Sequence, residues 1–128
     1  MNFEKVVFGF FITLALTLNF GFFVGAIDNP MMHNGIELVA ALVVSVIATI
    51  LKLGDRTQLG AVHLATSLVA DLQLIVACVL WIVLPADLAS GMLSPGHISV
   101  IVSMSAGALI ANIISVILMI SEIVQFRR

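Results

Sequence analysis

The sequence predicts an all-α integral membrane protein, a four-helix bundle with both termini on one side of the bilayer. Three observations predict it. The chain has 128 residues, 62% of them hydrophobic and 9% charged, and its mean hydropathy is +1.26. A water-soluble domain of this size could not solvate such a surface. Four apolar stretches, over residues of about 4–26, 35–53, 56–84 and 97–124, are each long enough to cross about 30 Å of hydrocarbon as a helix. All five lysines and arginines fall at the termini or between the second and third stretches, which four crossings place on one side.

The first stretch follows a short start, MNFEK, and is longer than a signal-peptide core. Gly25-Ala26 gives only a weak cleavage signal, so the stretch reads as a retained helix. Gly9, Thr13, Thr17, Gly21 and Gly25 repeat at four-residue spacing, a pattern that lets another backbone approach closely. Asn19 lies off that face, and its amide needs a partner inside the membrane. At the turn Asp28-Asn29-Pro30, either Asn29 caps a helix with Pro30 at its first position, or Asn34 caps it with Glu37 closing a capping box. In the second stretch Glu37, Ala41, Ser45, Ala48 and Lys52 share one face. Gly54 suits the position past the helix end, and Asp55 with Gln58 has the pattern of a capping box for the third stretch.

The third stretch organises the chain. It carries Asp71 near its midpoint, roughly 20 Å from either end, where an ionisable group costs about 3 kcal/mol or more to insert. His63, Ser67, Asp71 and Cys78 fall on one arc of the helix, and Thr66, Ala70, Gln73 and Ala77 on another. Two polar or small faces predict neighbours on both, which places this helix at the centre of the bundle. Trp81 suits the headgroup region, and PADLASGM in the following loop reads as a short interfacial helix. Ser94-Pro95 forms the cap and first position of the fourth helix. That helix shows two patterns. Ser99, Ser103, Gly107, Ala111 and Ser115 repeat every four residues, whereas Ser105, Ala108, Asn112, Ser115, Met119 and Glu122 alternate threes and fours. The first favours close right-handed crossing and the second a left-handed seam.

Orientation follows from charge. Lys5, Lys52, Arg56, Arg127 and Arg128 share one side with an excess of about +2, against about −3 on the other from Asp28, Glu37 and Asp87. The positive-inside rule then makes both termini cytoplasmic. A net charge of −2 without a basic patch implies no nucleic-acid partner, and Cys78, the single cysteine, has no internal disulfide partner.

Asp71 admits two readings. It is a proton or cation site, with Ser67 and His63 as a relay one and two turns toward the cytoplasm. Alternatively it is bonded to Asn19, Asn112, Gln73 or a serine and fixes helix packing. The three amides are packing groups or, in the first reading, contacts for the same ion. The small-residue ladders predict close helix packing and raise the expectation of a homo-oligomer. Asp28 and Glu37 concentrate cations at an outer mouth, and capping accounts for them equally well. Met31, Met32, His33, Met92 and His97 are residue types that suit Cu(I), but the sequence has no Met-x-Met repeat and nothing joins the two loops. No His-rich metal pattern, nucleophile elbow or Gly-rich phosphate loop is present. Apart from His97 at the first position of the fourth stretch, His63 is the only histidine in the spans, so a bis-histidine haem at mid-depth within one subunit is not available. Neither an enzyme nor a cofactor is expected.

Size and span count are similar to those of the small bacterial fluoride channels, and TLNFGFFVG resembles their asparagine-glycine helix. The chain lacks a GGxxGAxxR stretch in the first span and a TTFST-like stretch in the third. Its one-way charge bias also conflicts with their dual topology, and that match is rejected. KLGDRTQLGAV and ATSLVADLQL resemble an uncharacterised family of small bacterial inner-membrane proteins, over the first three spans. The resemblance implies four helices in a bacterial inner membrane and assigns no activity. The leading expectation is a small homo-oligomeric ion or proton channel or transport protein. The alternative is a non-conducting accessory or scaffold subunit of a larger membrane transporter.

Overall fold

The helix boundaries follow from local chemistry. A computed structural model describes residues 3–26, 28–55, 57–86 and 91–126. Four helices, α1 (Phe3–Phe23), α2 (Gly35–Lys52), α3 (Gln58–Val83) and α4 (Pro95–Phe126), run up and down, with a 3₁₀ turn at Pro30–Met32. All four are long and apolar enough to cross a membrane. Both asparagines weighed as caps are used. Asn29 caps the 3₁₀ turn ahead of Pro30, and Asn34 caps α2 by accepting from the Ile36 N–H at 2.9 Å. Glu37 closes no capping box; its carboxylate lies over Gly21 of α1, where no β-carbon stands in the way.

The start of α3 differs from the expectation in a similar way. Thr57, not Asp55, is the cap, its hydroxyl accepting from the Gly60 N–H at 2.9 Å. Asp55 holds the cap from outside, accepting from the Thr57 N–H at 3.0 Å and hydroxyl at 2.7 Å. Ser94 caps α4 as its sequence indicates, accepting from the His97 N–H at 3.3 Å. The short helix expected over PADLASGM spans residues 85–92; 85, 86, 91 and 92 are not helical, and 87–90 lie outside the described residues, as do Arg56, Arg127 and Arg128.

Each helix packs on its sequence neighbours and α4 returns to α1. Contacts between Lys5 and Glu122 and between Gly9 and Met119 bring the start of α1 and the end of α4 to the same end. The inward stripe of α1 is Phe8, Ile12, Ala15, Asn19 and Phe22, a three-and-four alternation. Its small-residue ladder runs along the flank instead: Gly9 and Gly21 are half-buried, and Thr13, Thr17 and Gly25 are exposed. In α4 the alternating pattern is again the inward one, with Ser105, Ala108, Asn112 and Ser115 buried, while Ser103 is exposed and donates back to the Ser99 carbonyl. Gly107 is half-buried, and Ala111 joins the buried edge of the same face.

The glycines that do meet neighbours receive side chains rather than backbones. Gly9 takes the Met119 sulfur, Gly107 the Gln73 amide, and Gly35 the Trp81 indole. Gly25 likewise meets a side chain, that of Met32, and its φ of +114° turns the chain out of α1 in a region that L side chains rarely adopt.

The α3 helix is one wall among four rather than an enclosed centre. Val62, Leu68, Leu72, Ile75, Val79 and Ile82 are exposed along it and suit lipid. Both of its polar arcs are nonetheless used. One meets α2 and the other meets α4. Between the helices lie two apolar clusters. The larger includes Phe22, Leu38, Leu74, Ile98 and Val102, toward the end opposite the termini. The smaller is Phe8, Ile12 and Ala48, toward the termini. A belt of polar side chains separates them.

Candidate functional site

The belt is built on Asp71. Ser45 and Thr49 stand four residues apart on α2, hence on one face, and that face meets the Asp71 arc of α3. The Ser45 hydroxyl donates to Asp71 Oδ1 at 2.6 Å, and the Thr49 hydroxyl lies 2.5 Å from Oδ2 and 3.0 Å from the Ser45 carbonyl. Asp71 is 8% exposed. A carboxyl group at this depth is tolerated because both its oxygens find hydroxyl partners, and the same bonds join α2 to α3. Of the partners named from sequence, only the serine is correct. Asn19 instead accepts from Ser105 of α4, Asn112 has no hydrogen-bond partner among the described residues, and the Gln73 amide lies over Gly107 of α4.

One and two turns from Asp71 toward the termini stand Ser67 and His63, both essentially without exposure. Among the described residues, neither the Ser67 hydroxyl nor either His63 ring nitrogen has a hydrogen-bond partner. The same holds for both polar atoms of the Asn112 amide, on the buried stripe of α4. An unmet buried polar group costs about 1–3 kcal/mol, so this cluster is an expensive feature in an otherwise well-packed bundle.

The Phe8 ring meets His63 edge-on, with centroids 5.3 Å apart at 81°. The Lys52 ammonium stands 4.3 Å from the centroid of the same ring and 3.5 Å from Asp55. Phe8, Lys5, Lys52, Asp55 and Glu122 all line a cavity of about 680 Å³ at the end holding the termini, where Lys5 pairs with Glu122 at 3.6 Å. His63 does not line it. Passing inward, the order is a charged vestibule, then Phe8, His63, Ser67 and Asp71.

The remaining polar candidates make helix clasps. Asn19 accepts from the Ser105 hydroxyl at 2.9 Å, joining α1 to α4, and its Nδ2 has no described partner. Thr66 and Ser115 hydroxyls meet at 2.7 Å, joining α3 to α4. Gln73 lies flat over Gly107 of α4 with Oε1 unpartnered among the described residues. Asp28 is exposed, and neither it nor Glu37 lines the hollows of about 430 and 610 Å³ at the end opposite the termini.

The sulfur and imidazole groups weighed for copper do not converge. Met31 is 77% exposed, the Met32 sulfur accepts from the Ala26 N–H at 3.2 Å, and His97 is half-buried on α4. His33 turns inward with both ring nitrogens against backbone carbonyls. Among the described residues no group of three His, Cys, Asp or Glu side chains could hold a metal ion.

Sequence reasoning singled out Asp71, Ser67 and His63, which the fold places in one buried row, and did not single out Thr49, Phe8 or the inward turn of His33. Thr49 was findable, since it sits one turn from Ser45 on the Lys52 end of α2.

Outside the spans, Asp55 is held below the ordinary carboxyl value of 3.8, first by the Thr57 N–H and then by the Thr57 hydroxyl, against an opposing effect of burial, with a lesser contribution from the Lys52 charge. A depressed folded value means that the stabilisation is complete above the unfolded value and is lost as pH falls through the folded one. The α2–α3 link is therefore expected to keep its full strength above about pH 4 and to weaken below it. Acid unfolding in detergent checks this: wild type should exceed Asp55→Asn above that range and converge with it below.

Four helices long and apolar enough to cross a membrane, with a polar belt between two apolar clusters, define an integral membrane four-helix bundle. The chain belongs to a family of unknown function, DUF6394, whose profile matches residues 32–123. The match takes in α2, α3 and α4 and begins after α1, whereas the resemblance read from sequence was placed on the first three spans. Asp71, Ser67, His63, Ser45, Thr49, Asn112 and His33 lie within the matched region. No curated protein and no solved structure matches the chain.

Proposed function

We propose that this protein carries protons, or a small cation, to and from a site at Asp71 reached from the end that holds the termini. The observation that supports the reading is the row beneath Asp71: His63 and Ser67 are buried, aligned with it, and unpartnered among the described residues. The hydroxyls that tie helices together, those of Ser45, Thr49, Thr66 and Ser115, are bonded by contrast. Residues four apart on a helix have β-carbons about 5–6 Å apart, a gap that one water with two or more polar partners can span. Imidazole passes a proton between its two nitrogens and a hydroxyl passes one by rotating, so His63 and Ser67 have the chemistry of a relay. Phe8 is the restriction between this row and the charged vestibule.

On the far side, the apolar cluster around Phe22, Leu74 and Ile101 closes the route within a single chain. Passage there requires a helix movement or a path between copies. The outward groove between α3 and α4, with Thr66, Gln73, Gly107 and Ala111, is the face we assign to a second copy. The charge bias of the termini and the α2–α3 link supports a cytoplasmic location for both in a bacterial inner membrane.

A second reading, a non-conducting scaffold or accessory subunit of a larger membrane transporter, is favoured by one observation. The Asp71 oxygens are already held by Ser45 and Thr49. Proton flux into liposomes holding the purified protein separates the two. The transport reading expects flux that depends on Asp71, and the scaffold reading expects none.

A further inference from the structure

The end of the bundle opposite the termini is closed by a histidine whose contacts need more protons than a neutral ring carries. His33 is 5% exposed. Its Nδ1 lies 2.6 Å from the Phe22 carbonyl oxygen and its Nε2 lies 2.7 Å from the Ala26 carbonyl oxygen. Both oxygens only accept. A neutral imidazole has one N–H, and its other nitrogen would point a lone pair at a carbonyl lone pair at under 3 Å. Only the imidazolium, with an N–H on each nitrogen, satisfies both contacts. We propose that His33 is a proton-operated latch, its doubly protonated ring tying the segment before α2 to the end of α1.

The local structure supplies what such a latch needs. The α1 helix ends at Phe23 and Gly25 turns the chain away. The Phe22 carbonyl is therefore one of the last-turn acceptors that an ending helix leaves free, and the negative end of the helix dipole favours a cation there. The Ala26 carbonyl, which also accepts from the Asn29 N–H at 3.2 Å, fixes the other side of the ring. The Phe22 ring stands 5.5 Å from the His33 ring and 6.0 Å from Trp81, packing one side of the latch.

The titratable groups of the surrounding elements are Asp28 in the same link, Glu37 on α2, Cys78 on α3 and His97 on α4. The Glu37 carboxylate lies over Gly21, beside the latch carbonyl of Phe22. It and Asp28 favour a cation at His33, and a charged His97 opposes one. When the ring loses its second proton, one carbonyl faces a lone pair and the ring must turn from it. That releases residues 24–26 and 28–34 and opens the hollow that His33 lines with Pro30, Trp81 and Leu93.

The test is nitrogen NMR of histidine-labelled protein in lipid nanodiscs across pH, together with hydrogen exchange of the amides in residues 24–34, corrected for intrinsic rates. The His33 signal is assigned by its loss in His33→Gln. The latch predicts two ring N–H groups at low pH. It also predicts a transition to one N–H at which exchange in residues 24–34 rises by about tenfold or more, with no such transition in His33→Gln. A neutral His33 throughout the range over which the segment stays protected overturns the proposal, as does exchange that does not follow the ring. Should His33→Gln fail to fold, the His33 signal is assigned by elimination from His63→Leu and His97→Gln, and the wild-type ring signal then decides the matter.

Discussion

Liposomes holding the Asp71→Asn protein are expected to take up protons at least about tenfold more slowly than wild type, at equal protein content and unchanged helicity. The substitution is chosen to spare the fold. Asparagine keeps the shape of the side chain, its Oδ1 still accepts from Ser45, and its Nδ2 can donate to the Thr49 oxygen while Thr49 donates to the Ser45 carbonyl. Every contact seen at 2.5–3.0 Å around Asp71 thus keeps a donor and an acceptor, and only the acid is lost. Asp71→Ala, in contrast, strips two buried hydroxyls of their partner and leaves a cavity, at about 1–3 kcal/mol for each unmet group. The two variants therefore separate roles that a single alanine scan would merge. Equal flux in Asp71→Asn and wild type, with unfolding confined to Asp71→Ala, would reduce Asp71 to a clasp between α2 and α3.

His63→Leu is expected to move stability and activity in opposite directions. Replacing a ring with two unmet buried nitrogens by an apolar side chain of similar size removes a desolvation penalty of about 1–3 kcal/mol per atom. It also gives up an edge contact with Phe8 of about 0.5–1.5 kcal/mol. The net expectation is a protein more stable to denaturation in mixed micelles by at least about 0.5 kcal/mol, with proton flux reduced as far as in Asp71→Asn. A gain in stability with a loss of function is the mark of a residue kept for its chemistry. A loss of stability would mean that His63 has structural partners and that the unmet nitrogens are only apparent.

The sequence revealed the helices more completely than it revealed their rotation. Four apolar runs, the caps at Asn34 and Ser94, and the buried acid at Asp71 could be read directly, because each depends on residues near in the chain. The ladders in α1 and α4 were harder to place. In water the charged face of a helix marks the outside, but lipid is as apolar as a protein core, so Thr13, Thr17 and Ser103 carry little sign of facing outward. The three-and-four alternation was the better guide to the inward face, as Asn19 and Ser105 show by meeting across α1 and α4.

Partners on other helices were less accessible still. One helix gives an arc, and only the register of a second helix decides whether Asp71 meets Ser45 and Thr49 or an amide. His33 was drawn toward Met31 and Met32 by nearness in sequence. In the fold, the free carbonyls at the end of α1 attract the ring inward instead.

Thiol accessibility gives the sharpest test of whether water reaches this polar row. Cys78 is the single cysteine, so a Cys78→Ser background carrying Ser67→Cys or Ala70→Cys isolates one position at a time. Ala70 is fully buried in the apolar cluster and serves as the dry reference. The account predicts that a small water-soluble thiol reagent, applied from the side of the termini, modifies Ser67→Cys at least about tenfold faster than Ala70→Cys, because only a wetted thiol ionises readily. Equal, negligible rates at both positions would contradict it.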